Sequence, residues 1–363
     1  MLETRILSVK DNILWKSMLA KLNLKDPHYL PEYLQIYEEM SEGEPKTHFG
    51  GEGLLFFYGD NDNFIIYPFF KRPINVLSFH SFEGLYDIIS PYGYGGPLSR
   101  IKDETIGEEL WRGFFDIFDR FCCESNIVSE FCRLHPLFEN HKPIGLFSKG
   151  TVQKIGRIVY VDLNCSEEEL ITRMGKHHRR HIRTALRNPD LNFHIDHGNK
   201  HIHEFYDAYI KTMQTVKARS CYQFSHDFFE NATVTLGENL IPIYITYRDT
   251  YVSGLLTLRY NNMASHWLSG AKEEYLHLFV ENLLHYASLV HLRNQGAKYC
   301  ILGGGLSAQE DSLFRFKLGF SELTKGFYIY KMIHLQRYYD KLIEARQNQT
   351  ENTTEFFPQY RLP

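Results

Sequence analysis

The sequence predicts an α/β protein with a mixed sheet, arranged as two similar halves. The chain has 363 residues, of which 43% are hydrophobic, so it can supply about two domains with cores of their own. The same order of elements occurs twice: antiparallel hairpins come first, and a long helix followed by a strand comes after them. Because hairpins precede the helix and strand, each sheet should be mixed and not all-parallel.

In the first half, apolar side chains spaced three to four residues apart indicate helices, and short apolar runs between turn residues indicate strands. Pro31 suits the first turn of a helix, where its missing N–H costs no hydrogen bond. The predicted helices are 11–22, 30–40 and 104–123, and the predicted strands are 54–58, 64–70, 74–79 and 127–134.

In the second half, Ser166 and Glu169 have the spacing of a capping box, and Gly296 is placed to end a helix. The predicted strands are 157–163, 241–247, 252–260, 263–268, 299–302 and 327–332, and the predicted helices are 166–188, 203–216, 279–294, 311–318 and 334–346. We therefore expect one domain at residues 1–155, a second at 156–333, and a C-terminal helix with a polar tail at 334–363.

Charge and composition exclude several classes of protein. Forty Lys and Arg against 44 Asp and Glu give a net charge of -4, so the chain is no polycation and any anion site must be local. No apolar run is long enough for a transmembrane segment, and six cysteines without a signal-peptide pattern predict a cytoplasmic protein.

Two groups of potential metal ligands lack the spacing of zinc sites, so we expect no metal. The first group is Cys122, Cys123, Cys132, His135 and His141, and the second is His194, His197, His201 and His203.

A basic helix is the strongest candidate for an anion site. Arg179, Arg180 and Arg183 share one helical face with Lys176 and Arg187. Such a face can bind phosphates through guanidinium groups, or it can simply be solvated and neutralised by acidic neighbours.

Two further stretches of the second half could contact a ligand. Gly303, Gly304 and Gly305 lie between a strand and a helix, where they form either a binding loop or a sharp turn. Lys317 is flanked by large apolar residues, so its amine either reaches outward to solvent or points into a cleft to meet negative charge.

Asp87 and Tyr94 belong to a loop rich in Gly, Pro and Tyr that could bind an amine or sugar, although it could also be a plain connection. His266 lies near the end of a strand, where it faces either a cleft or the core.

Several stretches together resemble the FemAB-like branch of the GNAT acyltransferase superfamily. They are Tyr160-Val161-Asp162-Leu163, the helix with Arg179, Arg180 and Arg183, the run His266-Trp267-Leu268-Ser269-Gly270, and Gly303-Gly304-Gly305 followed by Asp311 to Phe320. The resemblance implies two tandem GNAT-like domains that transfer an acyl or aminoacyl group to an amine, often on a cell-envelope sugar or peptide precursor. It also implies peripheral contact with a membrane where such a precursor is the acceptor.

The resemblance also implies roles for single residues. Lys317 would be catalytic and steady the donor phosphate or the oxyanion. The donor would bind Arg179, Arg180, Arg183, Gly303, Gly304 and Gly305, and the acceptor would bind Asp87, Tyr94 and His266. We expect the arginines and Lys317 to converge on one hollow.

The donor stays open between acyl-CoA and aminoacyl-tRNA. The absence of a long helical arm favours acyl-CoA, whereas the absence of a Gln/Arg-x-x-Gly-x-Gly/Ala loop favours aminoacyl-tRNA. Because no Cys-His or Ser-His-Asp nucleophile is evident, we expect direct attack by the amine without an acyl-enzyme. The alternative prediction is a non-catalytic binder of phosphorylated sugars or nucleic acid.

Overall fold

The computed structural model describes residues 2–23, 25–39, 49–74, 83–347 and 356–362. The helices in these ranges are α1 Asn12–Ala20, α2 Pro31–Glu39, α3 Gly107–Glu124, α4 His141–Phe147, α5 Glu167–Arg173, α6 Lys176–Leu186, α7 Ile202–Thr215, α8 His226–Leu236, α9 Val280–Asn294, α10 Ser312–Leu318 and α11 Gln336–Gln347. The strands are β1 Glu3–Ser8, β2 Glu52–Gly59, β3 Phe64–Pro73, β4 Tyr86–Ile89, β5 Leu98–Arg100, β6 Ile127–Arg133, β7 Thr151–Asp162, β8 Leu191–Ile195, β9 Leu240–Tyr247, β10 Thr250–Tyr260, β11 Met263–Ala271, β12 Tyr299–Gly303 and β13 Thr324–Ile333. None of the helices in these ranges has both the length and the apolar character to cross a membrane.

The chain divides into two compact units. The first unit consists of Met1–Asn23, His28–Ile155 and Phe327–Pro363, and the second consists of Leu24–Pro27 and Gly156–Gly326. The C-terminal segment is therefore part of the first unit and not a separate appendage, in contrast to our expectation for residues 334–363.

Both units contain a sheet with the same sequence of pairings. In the first, the order is β1-β2-β3-β4-β6-β13, and only β4 and β6 are parallel, with β5 beside β3. In the second, the order is β8-β9-β10-β11-β12-β7, and only β11 and β12 are parallel. The mixed α/β architecture and the tandem repeat predicted from the sequence are thus confirmed.

The two halves of the chain exchange the last strand of each sheet. β7 follows the strands β1 to β6 of the first unit along the chain, yet its residues 159–162 pair with β12 in the second unit. β13 follows the second set, yet its residues 329–333 pair with β6 in the first unit. This exchange explains why the second unit ends at Gly326 and not at residue 333.

Aromatic packing forms the core of the first unit. Phe114 and Phe118, four residues apart on α3, stack with ring centroids 5.7 Å apart. Phe56 of β2 meets Phe118 edge to face at 5.0 Å. Because i and i+4 side chains share a helical face, the amphipathic pattern of the sequence suffices to predict this contact surface of α3.

The basic segment differs from the single predicted helix at 166–188. α5 ends at Arg173, Met174 is extended at φ -72° and ψ 154°, and α6 begins at Lys176. Met174 is buried, and the Gly175 N–H donates to the Gly319 carbonyl at 2.9 Å. The break therefore anchors the start of α6 beside the end of α10.

Other differences concern short elements. The sequence patterns did not reveal α8, nor β1, β4, β5, β8 and α4, and these last five are short enough to give a weak periodic signal. The predicted strand at 74–79 lies outside the described residues except for Ile74.

A buried charged cluster stabilises the first unit around His334. Its Nδ1 lies 2.8 Å from Asp119 Oδ1, and its Nε2 lies 3.2 Å from Glu130 Oε2. The Tyr67 hydroxyl donates to the other Glu130 oxygen at 2.5 Å. Burial opposes the imidazolium, yet the hydrogen bonds with these partners outweigh it and raise the pKa of His334 to about 12.

We predict that His334→Gln lowers the free energy of unfolding at pH 7 by about 3–5 kcal/mol, because it leaves the buried Glu130 carboxylate without its cation. A group with a raised folded pKa contributes fully below its unfolded pKa, near 6.5, and loses that contribution as the pH rises towards its folded pKa, near 12. Urea unfolding at pH 7 and pH 9.5 should therefore show a smaller difference between the variant and the wild type at the higher pH. An unchanged difference would contradict the assignment.

Candidate functional site

The candidate site lies where the parallel strands β11 and β12 separate in the second unit. The two strands pair only from Met263 with Tyr299 to Ser265 with Ile301, although β11 continues to Ala271. His266 is the first residue of β11 beyond this pairing. Backbone and side chains near the divergence are consequently free to face a ligand instead of a neighbouring strand.

Lys317 of α10 reaches this divergence. Its Nζ donates to the Gly304 carbonyl at 2.7 Å, just after the end of β12. Burial of the ammonium group outweighs the attraction of Asp311 and lowers the pKa of Lys317 to about 8. The sequence left open whether the Lys317 amine reaches outward to solvent or points into a cleft. The structure shows that it points inward.

Two neutral histidines lie beside the lysine. His266 Nδ1 and His285 Nδ1 are 2.8 Å apart, and His266 Nε2 lies 3.1 Å from the Ser288 hydroxyl. Burial, reinforced by the positive charge of Lys317, lowers the pKa of His285 to about 3 and holds that of His266 well below its ordinary value. Both ring nitrogens of His266 are engaged within the protein, which favours a positioning role over direct contact with the acceptor.

Aromatic rings enclose the far side of this group. Phe316 and Phe320, from and just after α10, lie 5.5 and 5.3 Å from the His285 ring. His178 of α6 meets the Phe320 ring edge to face at 4.6 Å. The rings of Phe316, Phe320 and His178 thus pack together around His285.

The three glycines form a tight turn that presents the Gly304 carbonyl. Gly303 has φ +92°, a conformation that residues with a Cβ adopt rarely. A Cβ on Gly305 would lie 2.1 Å from the Gln309 carbonyl oxygen and 2.3 Å from Asp311 Oδ1. Asp311 accepts hydrogen bonds from the backbone N–H groups of Leu306 and Phe314, each at 2.9 Å, and so fixes the turn to the start of α10.

The basic residues of α6 lie on its outer face. Lys176, Arg180, Arg183 and Arg187 are exposed, while Ile182 and Ala185 are buried on the opposite face. The Arg179 side chain points towards α5, where its Nη1 donates to the Thr172 carbonyl at 2.6 Å.

His178, which contacts the rings next to Lys317, lies on the inner side of α6. The exposed arginines and the His178 side chain near Lys317 lie on different sides of α6, so the expected convergence of the arginines with Lys317 on one hollow is not observed.

In the first unit, a loop occupies the position that corresponds to the divergence. Beyond the paired residues of β4 and β6, the Ser90 N–H donates to the Phe131 carbonyl at 3.1 Å, and Gly95 forms a parallel bridge with Leu134. Tyr94 of this loop is 7% exposed and packs edge to face against His28 and His135. Its ring therefore belongs to the core of the first unit.

Asp87 is fully buried between two guanidinium groups. Arg72 Nε donates to Asp87 Oδ1 at 2.8 Å, and Arg361 Nε donates to the other oxygen, which also accepts from the Tyr360 hydroxyl at 3.2 Å. Burial opposes ionisation, but the two arginines outweigh it and hold the pKa of Asp87 below its ordinary value. These contacts give Asp87 a structural role, in contrast to its expected part in acceptor binding.

His178, His285 and Ser288 were missed in the sequence. His285 and Ser288 lie within α9, which is buried on nearly all sides, so no polar face distinguished them from core residues. His178 lies on the side of α6 that helical spacing places opposite the basic residues, together with Ile182 and Ala185. Their proximity to Lys317 depends on packing between α6, α9 and α10.

Comparison with known proteins gives one family match and several solved structures with a similar fold. Residues 172–317 match the family described as acetyltransferase (GNAT) domain. The fold is similar to that of FemX, with a TM-score of 0.67 and 10% identity over 93% of this chain and 99% of that one. No curated protein matches the sequence.

Two further solved structures share the fold. A protein of unknown function from Bacteroides thetaiotaomicron has a TM-score of 0.57 and 12% identity, covering 92% of this chain and 100% of that one. The C-terminal domain of a putative lysylphosphatidylglycerol synthetase from Agrobacterium fabrum has a TM-score of 0.52 and 11% identity, covering 93% and 97%.

Residues 172–317 therefore carry the matched acetyltransferase (GNAT) domain, which contains the site around Lys317. The likeness to FemX concerns the fold of the whole chain and agrees with the tandem α/β arrangement predicted from the sequence.

We predict that Asp87→Asn lowers the free energy of unfolding by about 3–5 kcal/mol, because two buried guanidinium groups lose their counter-charge. Asp62→Asn is the matched control: its ion pair with Lys102 is more than half exposed, and we expect a loss below about 1 kcal/mol. Chemical denaturation measures both. A stable Asp87→Asn variant with a raised KM for the acceptor would instead support the acceptor role.

Proposed function

We propose that the protein transfers an acyl or aminoacyl group from an activated, phosphate-bearing donor to an amine of a cell-envelope sugar or peptide precursor. The observation that carries this proposal is the ammonium group of Lys317, half-buried beside the Gly304 carbonyl within the matched acetyltransferase domain. A buried lysine with a pKa lowered to about 8 costs folding free energy, and such groups cluster at functional sites.

The proposed reaction needs only positioning and charge stabilisation. The uncharged acceptor amine attacks the donor carbonyl, its lone pair forms the new C–N bond, and the carbonyl π electrons move to oxygen. Lys317 stabilises this oxyanion as an ammonium group. The oxyanion then collapses, the C–O or C–S bond to the carrier breaks, and the nitrogen releases its extra proton to solvent.

The histidines are assigned a positioning role in this scheme. Since His266 and His285 have lowered pKa values, both are neutral and are weak bases near pH 7.

We assign the phosphates of the donor to the exposed basic face of α6. The start of α9, where the dipole would favour a diphosphate, is covered: the His181 ring stacks on Phe279 with centroids 4.1 Å apart. Glu281 in the first turn of α9 accepts a hydrogen bond from the Ser253 hydroxyl, so a carboxyl group already lies at this helix end. Both features disfavour a diphosphate at that helix end, and Arg180 and Arg183 offer an accessible alternative.

The acceptor class rests on likeness of fold alone. FemX is a peptidoglycan bridge transferase, and the name of the Agrobacterium protein refers to a lipid headgroup. Both names concern components of the cell envelope, which supports an envelope amine as acceptor and peripheral contact with a membrane. Binding assays with acetyl-CoA, longer acyl-CoAs and aminoacyl-tRNA separate the two donor classes.

We predict that Lys317→Met lowers kcat/KM by about 10²–10³-fold, because the oxyanion loses its charge partner. For the wild type, kcat/KM should fall as the pH rises above about 8, where the lysine loses its proton. Lys317→Arg, whose guanidinium group stays charged, should lose this decline. Full activity in the methionine variant would refute the assignment.

The methionine variant should also remain folded. A pKa lowered from 10.5 to about 8 corresponds to on the order of 3 kcal/mol of unfavourable charge burial below pH 8. Because the unfolded state binds this proton more tightly, wild-type stability gains from this group as the pH rises from 8 to 10.5. Thermal unfolding of Lys317→Met at pH 7 should show an unchanged or raised Tm.

We predict that Arg180→Gln/Arg183→Gln raises the KM for the donor at least tenfold and leaves kcat nearly unchanged, because the arginines bind distant phosphates. Arg337→Gln/Lys341→Gln, an exposed basic pair on α11, is the matched control with the same change in net charge. If the donor is a nucleic acid, the slope of log affinity against log salt should also fall by roughly two. Equal effects of the two double variants would contradict a specific phosphate site on α6.

A further inference from the structure

A cluster of metal-ligating side chains lies on the second unit, outside the candidate acyltransferase site. It consists of His203 on α7 and His226 and Glu230 on α8, whose ligand atoms all lie within 4.8 Å of one another. His226 and Glu230 are four residues apart and therefore share one face of α8. His203 is the second residue of α7 and faces them from the neighbouring helix.

The sequence gives no zinc-site spacing for His194, His197, His201 and His203, and only His203 of this group joins the cluster. The ring of His194 stacks on Tyr244 at 4.7 Å, and His201 lies 4.4 Å from the same ring. His203 instead stacks on His226, with centroids 4.3 Å apart and planes inclined by 17°.

Hydrogen bonds within the protein do not account for this arrangement. His226 Nδ1 lies 3.7 Å from the Glu230 carboxylate, which is too long for a hydrogen bond. His226 Nε2 is buried and has no hydrogen-bond partner among the described residues. Nδ1 is the nitrogen that faces Glu230, so it can ligate an ion through its lone pair when the ring proton is on Nε2.

The donor set indicates the class of cation. Two imidazoles and one carboxylate suit Zn²⁺ and related transition metals, whereas Mg²⁺ and Ca²⁺ prefer oxygen ligands alone. Ligands of one tetrahedral Zn²⁺ lie about 3.3 Å apart, given bond lengths of about 2.0–2.1 Å. Binding one ion therefore requires the ligand atoms to approach by up to about 1.5 Å and the stacked rings of His203 and His226 to turn out of their parallel arrangement, with water in the fourth position.

We propose that His203, His226 and Glu230 bind Zn²⁺ or a related transition-metal ion, which cross-links α7 and α8. The two helices are otherwise connected by the segment 216–225 and by apolar contacts such as Phe205 against Phe229, at 5.3 Å. Both support β11: Phe228 of α8 lies 5.8 Å from the Trp267 ring, and Gly270 packs against the backbone of Tyr209. The ion would thereby stiffen the helices that lie against the strand carrying His266.

The test uses the full-length protein without a histidine tag. Co²⁺ replaces Zn²⁺ as a coloured probe, and tetrahedral coordination gives visible d–d absorption at a stoichiometry of one ion per chain. Zn²⁺ at about 100 times its dissociation constant should raise the Tm by about 5 °C. His203→Gln, His226→Gln and Glu230→Gln should each abolish both signals.

His197→Gln is the matched control, since His197 is an exposed histidine of the same unit outside the cluster. It should keep the Co²⁺ spectrum and the Zn²⁺ shift. The metal-free Tm of each variant establishes that it is folded. Octahedral or absent Co²⁺ absorption in the wild type, or a Zn²⁺ shift retained in the His203→Gln and Glu230→Gln variants, would overturn the proposal.

Discussion

The separation of β11 from β12 is the constraint on which the candidate site depends. Parallel strands remain paired only while both backbones supply hydrogen bonds, and here this ends after Ser265 and Ile301. Beyond that point, the Gly304 carbonyl is free to accept from the Lys317 amine. In the first unit, the loop that contains Tyr94 continues the pairing along β6, and the same position in the fold is filled. A duplicated architecture thus carries one divergence that the Lys317 side chain reaches and one that the loop with Tyr94 fills.

The buried charges of the two units differ in how completely they are neutralised. In the first unit, Asp87 has two arginines and His334 has two carboxylates, so each buried charge meets an opposite one. In the second, Lys317 has a carbonyl as its hydrogen-bond acceptor, and the more distant Asp311 offsets only part of the cost of burial. A positive charge held in this way is available to an anion that forms during a reaction, because no carboxylate of the described residues forms an ion pair with it.

Strand exchange explains the order of elements along the chain. Each sheet needs a sixth strand beside its parallel pair, and that strand comes from the other half of the sequence: β13 in the first unit and β7 in the second. The first unit also takes its C-terminal segment from the end of the chain, where Tyr360 and Arg361 contact Asp87. Neither sheet is therefore complete when only one half of the sequence is present.

The sequence by itself determined the local features of this protein. Apolar periodicity predicted the long helices, such as α3 and α9, because one face of each turn must be buried. The basic character of α6 was also evident, since helical spacing alone places Lys176, Arg180, Arg183 and Arg187 together. The fold class followed from the repeated order of hairpins, helix and strand.

Only the tertiary structure decided which distant groups meet. Asp87 pairs with Arg361, 274 residues away, so its loop offered no sign that the carboxylate was already neutralised. The break at Gly175 depends on the carbonyl of Gly319, and the position of His203 beside His226 depends on the packing of two helices. The periodicity of a helix or strand shows which of its faces is buried and which is exposed to solvent. The partner of a buried charge depends instead on contacts between elements that are distant in the sequence.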